Sequence, residues 1–183
     1  MATSSTADAG EPSIPVEPEV LSAILSPYKP EATYLSSAWV DPSAREDAVV
    51  SARGAFSIPA SCYIADTGHF NAVEFNICYN QLAYALLGQC VLSSLLPALE
   101  IETFAEYRRR QLPDFLILRL ESTFRQAIDP RAFEGTVAVR STKRKLSMLL
   151  IDTVVRFSDA RGGSSHGAVL LGVIDSAKRR AGG

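Results

Sequence analysis

From Asn71 to Leu96 the chain is almost continuously apolar, and only a helix accommodates so long a run in one piece. A helix that is apolar on every side must be buried on every side, so the rest of the chain has to fold around it. Yet this segment carries Asn71, Glu74, Asn76, Tyr79, Asn80 and Tyr84. Buried hydrogen-bonding groups cost free energy unless they are paired. The polar side chains are therefore either well satisfied or engaged in chemistry, and we read them as engaged. Asn76, Asn80, Gln81 and Gln89 also break the run below the length of a membrane span.

A wrapping layer is written on both sides of the helix. YLSSAWV (34–40) and AVVSARGAFSI (48–58) are rich in β-branched and aromatic residues and predict two strands around a turn at Asp41-Pro42-Ser43. After Pro113 the apolar period becomes two, predicting strands over 115–128, 135–145, 147–157 and 166–175. Their turns are marked by Asp129-Pro130, Lys143 to Lys145 and Asp159 to Ser165. Short helices are expected over 19–25 and 101–112, and Pro97 is expected to end the long one. The predicted class is α+β, a long central helix wrapped by an antiparallel β-sheet. Residues 1–17 are expected to be a disordered tail, 18–176 one domain, and 177–183 a basic C-terminal tail.

Charge and cysteine usage narrow the function. A net charge of −2 gives no field favouring nucleic acid or an anionic membrane. The N-terminus has no basic and apolar signal-peptide regions, and three cysteines (Cys62, Cys78, Cys90) leave the disulfide reading weak. A cytoplasmic location is the resulting expectation. No Gly-rich phosphate loop, zinc spacing or G-x-S-x-G elbow is present. His69 and His166 are the only histidines, so neither metal nor cofactor is expected.

SPY at 26–28, SCYIADTGHFNAVEF at 61–75 and CYNQLAYA at 78–85 closely resemble the type III fatty-acyl-CoA thioesterases, a hot-dog family. The resemblance covers about residues 20–175 and is most specific in the central segment. It implies a hot-dog protomer forming a dimer or higher homo-oligomer. It also implies an acyl thioester substrate on coenzyme A or an acyl carrier protein. The family's proposed site of tyrosines and asparagines falls here on Tyr28, Tyr63, Asn71 and Asn80. Some members resemble enzymes that add glycine to the β-carbon of a 2-enoyl thioester and release an N-carboxymethyl-3-amino acid. In that chemistry His69 is the natural base, because glycine's ammonium must lose a proton before its nitrogen attacks.

Each residue also has a structural reading. His69 precedes a helix N-terminus, whose dipole disfavours an imidazolium; its plain alternative is a loop histidine bonded to a carbonyl. Asn71 and Glu74 have the spacing of a capping pair, while Glu74 could also orient His69 or hold the glycine amine. Backbone N–H groups at that terminus are candidates to bind the thioester carbonyl. Asn76 and Asn80 share a face roughly opposite Asn71 and Glu74, so one helix cannot aim all four at one point. Tyr63, expected on a strand, could donate to an enolate oxygen. Tyr28 could simply close the first helix onto the core. Gly68 and Phe70 belong to the same loop, and Phe70 reads as core first and tunnel lining second. His166 is expected in a turn.

The catalytic assignment is thus His69, Tyr63, Asn80 and Glu74, with Tyr28, Gly68, Phe70, Asn71 and Asn76 at the substrate. No basic residue is singled out for glycine's carboxylate. Two rival functions remain: hydrolysis of long-chain acyl-CoA, and an inert acyl-binding hot-dog protein.

Overall fold

The computed structural model describes residues 12–42, 48–65 and 68–174. The expected C-terminal tail lies outside them, as do residues 1–11. The N-terminal segment is ordered earlier than its composition suggests. Ile14–Pro15 (β1) pairs with Trp39 and Val40, and Val16 is buried in the core. Two apolar side chains beside an open strand edge suffice to anchor it.

Helix α1 (Pro18–Leu25) turns Leu21, Ile24 and Leu25 inward. Strands β2 (Leu35–Asp41) and β3 (Val50–Phe56) follow, then the long helix α2 (Ala72–Leu92) and the short α3 (Phe104–Arg110). The chain finishes with β4 (Phe115–Gln126), β5 (Phe133–Lys145), β6 (Met148–Ser158) and β7 (Ser164–Val173). Among the described residues these seven strands form one antiparallel sheet in the order β1-β2-β3-β5-β6-β7-β4. The sheet wraps α2, which packs against β2, β3 and β5 and against both flanking helices. This is the hot-dog arrangement.

Several boundaries move for local reasons. α2 stops at Leu92, short of Pro97, because Ser94 adopts φ 54° and Leu95 N–H returns to the Cys90 carbonyl. α3 starts only at Phe104, where the Thr103 hydroxyl caps Glu106 N–H. Lys143 to Lys145 are strand, and the reversal is made by Leu146 and Ser147, with Leu146 at φ 54°. His166 is not in a turn; it pairs with Thr123 and Arg156 inside β7.

A cluster of phenylalanines closes the core at the start of α2. Phe70 lies 4.8 Å from Phe133 and 5.1 Å from Phe157, and Phe75 stacks edge-on to Phe157 at 5.1 Å. Burying each such ring contributes roughly 1.5–3 kcal/mol. The sheet is bare where Phe75 lands: a Cβ on Gly167 would sit 2.3 Å from the Glu121 carbonyl and 2.8 Å from that ring. Deeper along α2, Gln81 is wholly buried. Its Oε1 accepts from Tyr34 and Leu35 N–H (3.0 and 2.9 Å), and its Nε2 donates to the Ala32 carbonyl at 2.7 Å. One helix side chain thereby holds the start of β2.

Candidate active site

The segment leading into α2 is built by pinning rather than by strand pairing. Tyr63 lies on a run of bends, not on the expected strand. The adjacent Cys62 N–H donates to the Tyr34 hydroxyl at 3.1 Å. Gly68 takes φ 72°, a left-handed conformation that a side chain disfavours even though the space beside it is open. Phe70 N–H then bonds the Ile128 carbonyl at 3.2 Å and buries its ring. His69 is left exposed between these two anchors.

At Asn71 the capping pair forms as its spacing predicts. Asn71 Oδ1 accepts from Val73 and Glu74 N–H at 2.9 and 3.5 Å, and Glu74 Oε2 accepts from Asn71 N–H at 3.0 Å. Glu74 is 1 % exposed, so its carboxylate sits beneath the cap with one oxygen committed to the backbone. The N–H groups of Val73 and Glu74 are filled by Asn71, which removes them as binders of a thioester oxygen. Burial, and secondarily the Glu74 charge, push the Cys78 thiol well above its usual range.

The Asn71 amide has a second task. Its Nδ2 donates to the Tyr63 hydroxyl at 2.6 Å. Because that oxygen is already an acceptor, the phenol's own proton is directed elsewhere, and Tyr63 is 43 % exposed. An accepted bond polarises the O–H and strengthens it as a donor. Beside this pair a cleft of about 370 Å³ is lined by His69, Phe70, Asn71 and Ala72 from the helix entry. Phe124, Arg125, Gln126 and Ala127 line it from the end of β4.

Asn76 and Asn80 lie elsewhere. Asn80 Nδ2 contacts Asn76 Oδ1 at 3.5 Å on a half-buried face of α2 that also carries Tyr84. Nine residues separate Asn71 from Asn80, about 13 Å along the axis. Tyr28 packs beside this second group. Burial, with Tyr84 and Cys78 near, raises its phenol far above the ordinary range. The structure thus brings together Tyr63, Gly68, His69, Phe70 and Asn71, with Glu74 underneath. It sets Tyr28, Asn76 and Asn80 apart. Sequence reading passed over Arg125 and Phe124; a basic residue at the end of an apolar strand carries no signal of its own.

Asn71→Asp separates the two tasks of this side chain. The carboxylate still caps the helix but cannot donate to Tyr63. Stability is expected to change by less than the roughly 1 kcal/mol of a lost cap. Turnover should fall about tenfold or more as the Tyr63 proton loses its fixed direction. Thermal unfolding beside steady-state rates measures both, and unchanged turnover would make Asn71 a cap alone.

A hot-dog sheet around a helix whose start presents a histidine and a tyrosine-bonded asparagine to one cleft fits a thioesterase-type domain. The chain belongs to the FcoT-like thioesterase family, whose domain model matches residues 23–173. A (2E)-enoyl-ACP glycyltransferase of Streptomyces coeruleorubidus is 40% identical over 161 residues, covering 85% of this chain and 96% of that protein. The protein of the same name from Mycobacterium tuberculosis is 35% identical over 166 residues, covering 88% and 89%. Among solved structures, a Staphylococcus aureus protein in complex with CoA matches with TM-score 0.45 and 12% identity, over 65% of this chain and 66% of that one. A likeness of that degree does not bear on function. No described helix is long and apolar enough to cross a membrane.

Proposed function

We propose that this enzyme adds glycine to the β-carbon of a 2E-enoyl thioester on an acyl carrier protein. Hydrolysis then releases the N-carboxymethyl-3-amino acid. The observation that carries the reading is the cleft at the start of α2, which His69 lines together with Asn71, whose amide holds the Tyr63 hydroxyl. The glycyltransferase relatives, matched over most of their own length, support the substrate pair.

His69 takes a proton from the glycine ammonium, and the freed amine attacks the β-carbon. The π electrons move to the thioester oxygen, and the Tyr63 hydroxyl stabilises the resulting enolate. Protonation at the α-carbon by the imidazolium completes the addition. Water then attacks the thioester carbonyl, expelling the carrier thiol and leaving the acid. Asn76 and Asn80, with Tyr28 nearby, bind a more distant part of the thioester, and Glu74 supports the site through the cap. Gly68 and Phe70 shape the wall. The step draws on no cofactor, since the enoyl thioester is already polarised toward attack.

The protein acts as a homo-oligomer in the cytoplasm in this reading. Among the described residues β4 ends the sheet with its outer edge open, and Leu116, Ile117 and Leu118 on it are well exposed. Such an edge accepts another strand, and a second copy meeting β4 there would cover these side chains. Light scattering should give at least twice the 19.7 kDa chain mass; a monomer at micromolar concentration would refute the assembly.

The function is tested by mass spectrometry of enoyl-carrier substrate incubated with and without glycine. A free acid heavier by one glycine, formed only with glycine, is the expected product. Equal release of unmodified fatty acid in both incubations would instead make the protein a simple acyl thioesterase.

A further inference from the structure

Resting on the glycine-addition reading, we infer that Arg125 holds the carboxylate of the incoming glycine and so selects the amine. The placement comes from a β-bulge. In the ladder with β7, Phe124 pairs with Ser165 and Gln126 with Ser164, so Arg125 is an extra residue with no opposite number. Bulges re-aim side chains and concentrate beside functional sites. Phe124 anchors this one, its ring packing 5.7 Å from Phe75 and 6.4 Å from Phe70.

Charge singles out the same residue. Among the described residues that line the cleft, Arg125 is the one permanent cation and none is a carboxylate. Among the described residues Arg125 makes no ion pair, whereas nearby Arg161 is paired with Asp129 at 3.3 Å. A guanidinium presents a planar fork of donors that matches a carboxylate.

Reach decides between two anions. Glycine's carboxylate carbon is two bonds from the attacking nitrogen, so the group that binds it must share a cleft with the base. The phosphate of a pantetheine arm is separated from the thioester sulfur by the whole arm, and its partner belongs outside this space. Arg125 lines the cleft with His69 and fits the first requirement.

The test compares glycine with glycinamide, which keeps the amine and lacks the carboxylate, on wild type, Arg125→Gln and Arg125→Lys. In wild type kcat/KM should favour glycine about 10- to 100-fold, the worth of a charge-assisted pair. In Arg125→Gln the KM for glycine should rise by a similar factor and the preference should collapse to within a few-fold. Arg125→Lys should recover part of it. Circular dichroism checks that each variant is folded. An unchanged glycine KM in Arg125→Gln, with addition intact, overturns the assignment and leaves the proposed function standing. A raised KM for the carrier-bound substrate instead makes Arg125 a carrier contact and overturns it too. If wild type forms no glycine adduct at all, the functional reading falls and this inference falls with it.

Discussion

His69→Ala is expected to slow glycine-dependent product formation by about 10²- to 10⁴-fold, the usual worth of a positioned general base. The fold should survive, because His69 is exposed and the chain around it is held by other groups. Those are the Phe70 N–H bond to Ile128 and the Asn71–Glu74 cap. The loss should fall on kcat more than on the KM for glycine, since the inferred carboxylate contact lies on Arg125. Raising the pH until free glycine amine accumulates should shrink the deficit, because solution then performs the deprotonation. A histidine with a merely structural role would show no such recovery. A variant that retains more than a tenth of wild-type addition at neutral pH would remove His69 from the mechanism.

Gln81→Leu should be strongly destabilising although it lies away from the site. Leucine fits the volume but strands two N–H groups, of Tyr34 and Leu35, and the Ala32 carbonyl. Each buried polar group left without a partner costs about 1–3 kcal/mol, so a loss of about 3–5 kcal/mol is expected. For a chain of this size the midpoint of thermal unfolding should drop by about 10 °C. A midpoint within 2 °C of wild type in Gln81→Leu would mean that the clamp contributes little.

The capping pair at Asn71 and Glu74 was legible because capping is a matter of three-residue spacing. So was the sheet, whose strands announce themselves by period-two alternation and turn residues. Pro97 is a conspicuous stop signal, and by sequence α2 should run up to it. The actual stop, a left-handed Ser94, has none of glycine's usual advertisement. Local composition places Tyr63 on a strand. Its neighbour Cys62 is held instead by the Tyr34 hydroxyl, 28 residues away in sequence.

The site divides along the same line. By itself the sequence determined that a buried helix must be wrapped, that it begins at Asn71, and that His69 stands at its threshold. Each of these depends on neighbours within a few positions. Only the tertiary structure decided that the Asn71 amide turns to Tyr63. It alone brought Arg125 to the same cleft as His69. Those facts depend on a bulge in β4 and on packing between residues tens of positions apart. Local spacing carries no information about such contacts until the sheet has closed around the helix.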